Sequence, residues 1–289
     1  MTIPDISIIG IGAVGRTMAL ALNACNFPLK SLYNRHPAKA ENLASRLGVS
    51  TVGPFPKNKS ELGEMLFLGV PDAEIRDTAD RLAGIDDDFE STIAVHFSGT
   101  GSSQWLDPLR QKGASAAAFH PLQTFNAESD PVIIRGIHFS VEGDDRAVAV
   151  LQEIAAKMEA HALVIDRESK PYLHAAAVIA SNYLLSLMEA AGRTAAAGGM
   201  DERQAREALM PLVRQTLVNA TATDLSAVLS GPIARGDAVT VQKHLQLLEH
   251  NAGLSSLYKS MGLYTVKLAE SNGKLNRSQV EKLKRILNT

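Results

Sequence analysis

Residues 5–36 read DISIIGIGAVGRTMALALNACNFPLKSLYNRH. Ile6, Ile8 and Ile9 predict a short buried strand, Gly10-Ile11-Gly12-Ala13-Val14-Gly15 a tight turn, and Val14, Met18, Ala21, Leu22 and Cys25 recur behind it at helical spacing. In this setting a dinucleotide pyrophosphate can be bound. Gly10 permits the turn, Gly12 lets the backbone approach the phosphates without a Cβ in the way, and Gly15 lets helix and strand pack closely. The unpaired N–H groups at the helix start, from Ala13 and Val14 onward, then face the phosphates together with the positive end of the helix dipole.

The end of the second strand decides between cofactors, because an acid there would accept hydrogen bonds from the adenosine ribose of NAD. Here the strand ends in Asn34-Arg35-His36, with no acid. Arg35 can pair with a 2′-phosphate and lay its planar guanidinium on adenine, which favours NADP(H) over NAD(H). Lys39 adds charge nearby or is a helix-surface lysine. Downstream, Val70 and Pro71 follow a third strand and read as walls of the same site. Asp72 reads as a helix N-cap.

Working outward, short apolar runs alternate with amphipathic stretches as far as Asp166, the rhythm of a parallel sheet covered by helices on both faces. Strands are expected at residues 5–9, 29–34, 65–70, 93–97, 116–119, 137–141 and 162–165. Beyond Arg167 every segment reads as helix. The fold class is therefore α/β, with a Rossmann-type parallel-sheet domain over 1–166 and an all-α domain over 167–289.

The composition bounds the function. Of 289 residues 45% are hydrophobic and 21% charged, with a net charge of -2 and no basic stripe, which argues against a nucleic-acid partner. Cys25 is the single cysteine, so neither a disulfide framework nor a thiolate metal site is expected. A reducing cytoplasm fits. With no signal-peptide pattern and no apolar run of 18 residues read from the chain, neither export nor a membrane span is expected.

Candidate chemistry lies where the strands end. The strand containing Val95 and His96 runs into Ser98-Gly99-Thr100-Gly101, whose hydroxyls and N–H groups could hold a substrate carbonyl or carboxylate; Ser98 is the first choice, and His96 reads as packed. The next strand ends in Phe119-His120-Pro121. An imidazole fixed there could exchange the proton that accompanies hydride transfer. In the helical part, Lys170, His174, Ser181 and Asn182 form a polar stripe in an Ala/Leu-rich helix, and Asn182 is a candidate to orient substrate. Gly231-Pro232-Ile233-Ala234-Arg235-Gly236-Asp237 is a shaped loop in which Arg235 could bind an anion bidentately and Asp237 reads first as an N-cap.

The Gly10/Gly12/Gly15 turn, Gly69-Val70-Pro71-Asp72, His96-Phe97-Ser98-Gly99, residues 120–125, Ser181-Asn182 and residues 231–237 followed by His244 together resemble a Rossmann-like family of unassigned function. Its members are named as candidate NADP oxidoreductases. More distantly the layout is similar to pyrroline-5-carboxylate reductase, deazaflavin-dependent NADP reductases, 3-hydroxyacid dehydrogenases and prephenate dehydrogenase. The resemblance implies hydride transfer to or from a small-molecule substrate in an interdomain cleft, and homodimers held by the helical domain. The 3-hydroxyacid dehydrogenases carry a catalytic lysine four residues before the asparagine matched by Asn182, whereas this chain has Val178. His120-Pro121 is similar to the His-Pro segment of prephenate dehydrogenases, whose histidine contacts the substrate hydroxyl. Two other readings stay open: an NADP(H)-binding sensor without turnover, and hydride exchange between NADP and a deazaflavin. The substrate, the direction of reaction and the roles of His174, Asp237 and His244 stay open as well.

Overall fold

The computed structural model describes residues 4–86 and 88–289. Its strands are β1 (Ile6–Ile9), β2 (Leu29–Tyr33), β3 (Thr51–Gly53), β4 (Met65–Leu68), β5 (Ile93–His96), β6 (Ser115–Pro121), β7 (His138–Gly143) and β8 (His161–Val164). The helices between them are α1 (Ala13–Ala24), α2 (Pro37–Leu47), α3 (Ile75–Ala83), α4 (Asp107–Arg110) and α5 (Asp145–Lys157). After β8 come α6 (Lys170–Ala180), α7 (Asn182–Ala197), α8 (Glu202–Ala222), α9 (Leu225–Val228), α10 (Ala238–Leu248), α11 (Ala252–Ser271) and α12 (Arg277–Leu287).

The eight strands form one sheet in the order β3-β2-β1-β4-β5-β6-β7-β8. Strands β1, β4 and β5 are buried along their whole length, which explains their unbroken apolar runs. Alternate residues go to opposite faces. Ile6, Ile8, Phe67, Val95, Phe119 and Phe139 pack with Met18, Leu22, Leu151 and Ile154, while Ile9, Leu66, Leu68 and Ala94 pack with Ile75, Leu82 and Leu109.

Two features depart from the sequence reading. Strand β3 is new, because three half-buried residues are too short to display a period. The sheet is also not wholly parallel. Strand β7 runs antiparallel to β6, since the chain between them holds a single 3-10 turn, Pro131–Ile134, rather than the crossover helix that a parallel neighbour requires.

The topology creates a crevice beside β1. The chain winds from β1 outward to β2 and β3, then crosses to β4 on the other side of β1, so the loops at the carboxyl ends of β1 and β4 diverge.

The chain divides into two compact units, Met1–Ser181 and Asn182–Thr289. The first unit therefore takes in α6, beyond the expected boundary at 166/167. The reason is local: Lys170 on α6 is buried and bonded to Ser98, and His174 lies against Gly99. The second unit holds α7 to α12, with α10, α11 and α12 packed around Ile233, Val241, Val266, Leu283 and Leu287 and α7 meeting Leu248 and Leu254 through Ala190. Helices α8 to α12 are each capped by a side chain, Asp237 on α10 among them, as its position predicted. Within the helical run Arg167–Ala197 one 18-residue window reaches a mean hydropathy of 1.2, which by length and composition alone would suffice to cross a membrane, where the sequence reading expected no span.

Candidate active site

The glycine turn is built by close backbone packing. Gly10 has φ +100°, and a Cβ on it would lie 2.5 Å from the carbonyl carbon of Gly69 at the end of β4. A Cβ on Gly15 would lie 2.0 Å from the Gly10 oxygen. Gly12 differs, since its nearest neighbour would be 3.8 Å away. The space above Gly12 is open, at the N-cap of a helix whose first N–H groups receive no side-chain cap. That is the cradle a pyrophosphate needs, with Ala13 and Val14 on its first turn. The Ile11 N–H donates to Asn34 Oδ1 at 3.0 Å, so Asn34 ties the turn to the end of β2.

A pocket of about 240 Å³ opens beside the turn, with Gly10, Gly12, Asn34, Arg35, Val70 and Pro71 in its wall. Every one of these was expected from the sequence. Lys39, Glu74 and Arg81 line it as well. Arg35 Nη1 donates to Glu74 Oε1 at 2.7 Å, with both side chains substantially exposed, and Arg81 stacks 3.8 Å above the Phe55 ring. Three cations thus face one carboxylate, which suits a ligand with a phosphate beyond its pyrophosphate. Glu74 and Arg81 escaped the sequence reading, although Glu74, Thr78 and Arg81 recur at helical spacing directly after Val70-Pro71-Asp72.

Asp72 links this pocket to the candidate chemistry. Pro71, not Asp72, holds the N-cap position of the following 3-10 turn. The Asp72 carboxylate instead accepts from Ser98 Oγ at 2.6 Å and from Thr100 Oγ1 at 3.3 Å. Ser98 Oγ also accepts the N–H groups of Thr100, at 3.2 Å, and Gly101, at 2.8 Å. The hydroxyl expected to orient substrate is therefore spent inside the protein.

His96 is fully buried, as expected. Its Nδ1 accepts the Ser98 N–H at 3.1 Å, which leaves the proton on Nε2 for the Ser102 carbonyl at 3.0 Å, and burial holds its pKa down at about 4.

His120 is half-buried at the end of β6. A carbonyl can only accept, so the bond from His120 Nδ1 to the Phe97 carbonyl, 2.9 Å, assigns the proton to Nδ1. Nε2 bonds nothing among the described residues and carries a lone pair. Burial lowers the His120 pKa; the Phe97 carbonyl opposes that, and the charges of Lys170 and His174 push it lower again.

Helix α6 brings two further groups here. Lys170 is 1% exposed, and its Nζ donates to the Ser98 carbonyl at 2.6 Å. Burial brings its pKa down to about 8 against the pull of Glu142 and Asp72. The His174 ring meets the His120 ring edge-on with centroids 5.6 Å apart, and its Nδ1 is buried without a partner. Both rings crowd Gly99, where a Cβ would sit 2.2 Å from His174 Nδ1 and 2.9 Å from His120 Nε2.

Asn182 and Arg235 belong to the second unit. Both are exposed, and neither side chain makes a hydrogen bond or ion pair among the described residues. That unit has its own largely apolar cavity of about 550 Å³, whose wall includes His244, hydrogen-bonded through Nδ1 to the Tyr258 hydroxyl at 2.8 Å. Among the described residues no cluster of three His, Cys, Asp or Glu side chains is placed to hold a metal.

Fold and site together define a Rossmann-type unit with an open glycine turn, followed by a helical unit. Residues 3–121 match a Rossmann-like domain and residues 137–265 match a domain of unknown function, DUF2520. Protein TM1727 from Thermotoga maritima is 28% identical, with 92% of this chain and 99% of that one covered at a TM-score of 0.74. BF3122 from Bacteroides fragilis, named as a candidate NADP oxidoreductase, is 20% identical over 91% of this chain and 98% of its own, at 0.72. The reductive aminase from Aspergillus terreus, in complex with NADPH and ethyl levulinate, is 15% identical over 98% and 99%, at 0.64. No curated protein matches the sequence.

Proposed function

We propose that the protein is an NADP(H)-dependent oxidoreductase acting on a small polar, anionic substrate, with His120 as the group that exchanges the proton. The observation that carries this reading is the His120 imidazole, held by the Phe97 carbonyl with a bare Nε2 on the strand next to the loop that Asp72 joins to the cationic pocket. The cofactor supplies and accepts the hydride. Gly12 leaves room for its pyrophosphate, the first turn of α1 offers N–H donors, and Arg35, Lys39 and Arg81 oppose a 2′-phosphate. The NADPH complex of the similarly folded reductive aminase supports the same choice of cofactor. The anionic character of the substrate rests on Arg235, which makes no ion pair among the described residues.

At neutral pH the lowered pKa keeps His120 uncharged, ready to take a proton from an alcohol or amine. In the reductive direction it must first be protonated, so reduction should slow, and oxidation quicken, as pH rises through its pKa. The test is purified protein with NADPH against panels of 2-oxo acids, 3-oxo acids and cyclic imines at 340 nm, beside calorimetry with NADPH and NADH. His120→Ala should lower turnover about 10²-fold while leaving NADPH affinity nearly intact, and Arg35→Ala should erase the preference for NADPH. Equal affinities of the wild type for NADPH and NADH would remove the role given to Arg35. Turnover unchanged in His120→Ala would remove the role given to His120.

The same reading makes the protein a homodimer through its helical unit, where large apolar side chains such as Tyr183, Leu185, Leu212, Leu217 and Val218 are at least half exposed. It also puts the protein in the cytoplasm, in keeping with one unpaired cysteine.

A further inference from the structure

We infer that Lys170 is a positioning residue for His120: its buried ammonium acts through space and through the Ser98 carbonyl to set the protonation of that imidazole. This rests on the assignment of His120 as the proton-exchanging group.

The loop after β5 is already tied down without Lys170. The Ser98 N–H reaches His96, the Ser98 hydroxyl donates to Asp72, and the Thr100 and Gly101 N–H groups return to that hydroxyl. One more bond, to the Ser98 carbonyl, adds little rigidity. It also brings an ammonium to 1% exposure with no carboxylate in ion-pair contact among the described residues. Such a charge is costly to bury, and an apolar side chain of similar length would ordinarily be more stable in its place. A costly charge beside a candidate acid–base group, in a loop that would hold without it, points to an electrostatic role.

The geometry shows where that role is exercised. Ser98 lies between Phe97, whose carbonyl holds His120 Nδ1, and Gly99, against which His120 Nε2 packs. The charged and titratable groups around Lys170 come from several elements. Asp72 follows β4, His96 ends β5, His120 is on β6, and Glu142 on β7 accepts from Ser103 and lies 3.6 Å from Arg167. His174 follows one turn later on α6 itself. Asp72 and Glu142 hold the proton on Lys170, and burial drives it off, leaving its pKa at about 8. Below that pH the ammonium disfavours a second positive charge on His120 and keeps Nε2 available as a base.

The test needs no substrate. The His120 Cε1–H resonance, assigned by its loss in His120→Gln, is titrated by NMR in the full-length wild type and in Lys170→Met. In the wild type His120 should titrate below 6.5, with a second inflection near pH 8 as Lys170 loses its proton. In Lys170→Met the main titration should move up by about half a unit or more, the inflection near pH 8 should vanish, and the melting temperature should rise. Lys170→Arg should keep the low His120 pKa and lose the inflection near 8. An unmoved His120 titration in Lys170→Met, or a variant that melts lower than wild type, would overturn the assignment and mark Lys170 as a structural staple. Because the oxidoreductase reading is judged by turnover and cofactor affinity, the two can fail separately.

Discussion

A methyl group added at position 12 would meet nothing nearer than 3.8 Å, whereas one added at position 15 would sit 2.0 Å from a backbone oxygen. Two glycines of one motif therefore differ: the fold requires Gly15, whereas Gly12 leaves open space that the proposed cofactor would use. Gly15→Ala forces backbone apart at the α1–β1 junction and should destabilise the first unit by roughly 1–3 kcal/mol, as overpacking does. Gly12→Ala should melt within a degree or two of wild type yet bind NADPH about tenfold or more weakly, because its Cβ enters the space the pyrophosphate needs. Calorimetric titration and thermal melts of both variants check the contrast. Gly12→Ala that binds normally would mean the pyrophosphate is held elsewhere. At the same scale, the motif residues were readable because a glycine turn declares itself within a few positions. The commitment of the Ser98 hydroxyl to Asp72 was not, since 26 residues separate the partners.

Strand β5 and its loop show how one element acquires a pH limit. His96 serves as a neutral imidazole, accepting at Nδ1 and donating at Nε2, and protonating Nδ1 would break the bond to the Ser98 N–H. Burial lowers its pKa from 6.5 to about 4. A base whose folded pKa is depressed contributes stability that is fully present above 6.5 and is lost as pH falls toward 4, because the unfolded chain takes up the proton first. The loss should be on the order of 3 kcal/mol. Urea midpoints at pH 7 and pH 4.5 should fall further for wild type than for His96→Gln; equal drops would show that His96 does not govern the transition. The strand positions and the all-helical character of the second half were largely legible from periodicity. The direction of β7 was not, because it depends on whether the connecting segment crosses the sheet.

For the molecule as a whole, the exposed apolar side chains of α7 and α8 set the prediction. If a second copy covers them, the protein should scatter light as a dimer of about 62 kDa, twice the 30.9 kDa chain. Leu185→Glu or Leu217→Glu should then shift it toward 30.9 kDa by placing a carboxylate in an apolar contact. A wild-type monomer at micromolar concentration would end the dimer proposal.

By itself the sequence determined the parts whose information is local. A strand, a glycine turn and a helix lie consecutively between Ile6 and Ala24, and the missing acid beside Arg35 is a matter of one position on the next strand. Periodicity and backbone sterics act within such short stretches, so the strand–turn–helix unit could be read before any contact was known. Only the tertiary structure decided what surrounds His120. It carried α6 into the first unit, put the Lys170 ammonium on the Ser98 carbonyl 72 residues away, and set the His174 ring against Gly99. These meetings follow from the path of the whole chain and from the free energy of burying its groups together. The sequence marked Lys170 as one member of a polar stripe, but not which carbonyl its ammonium meets.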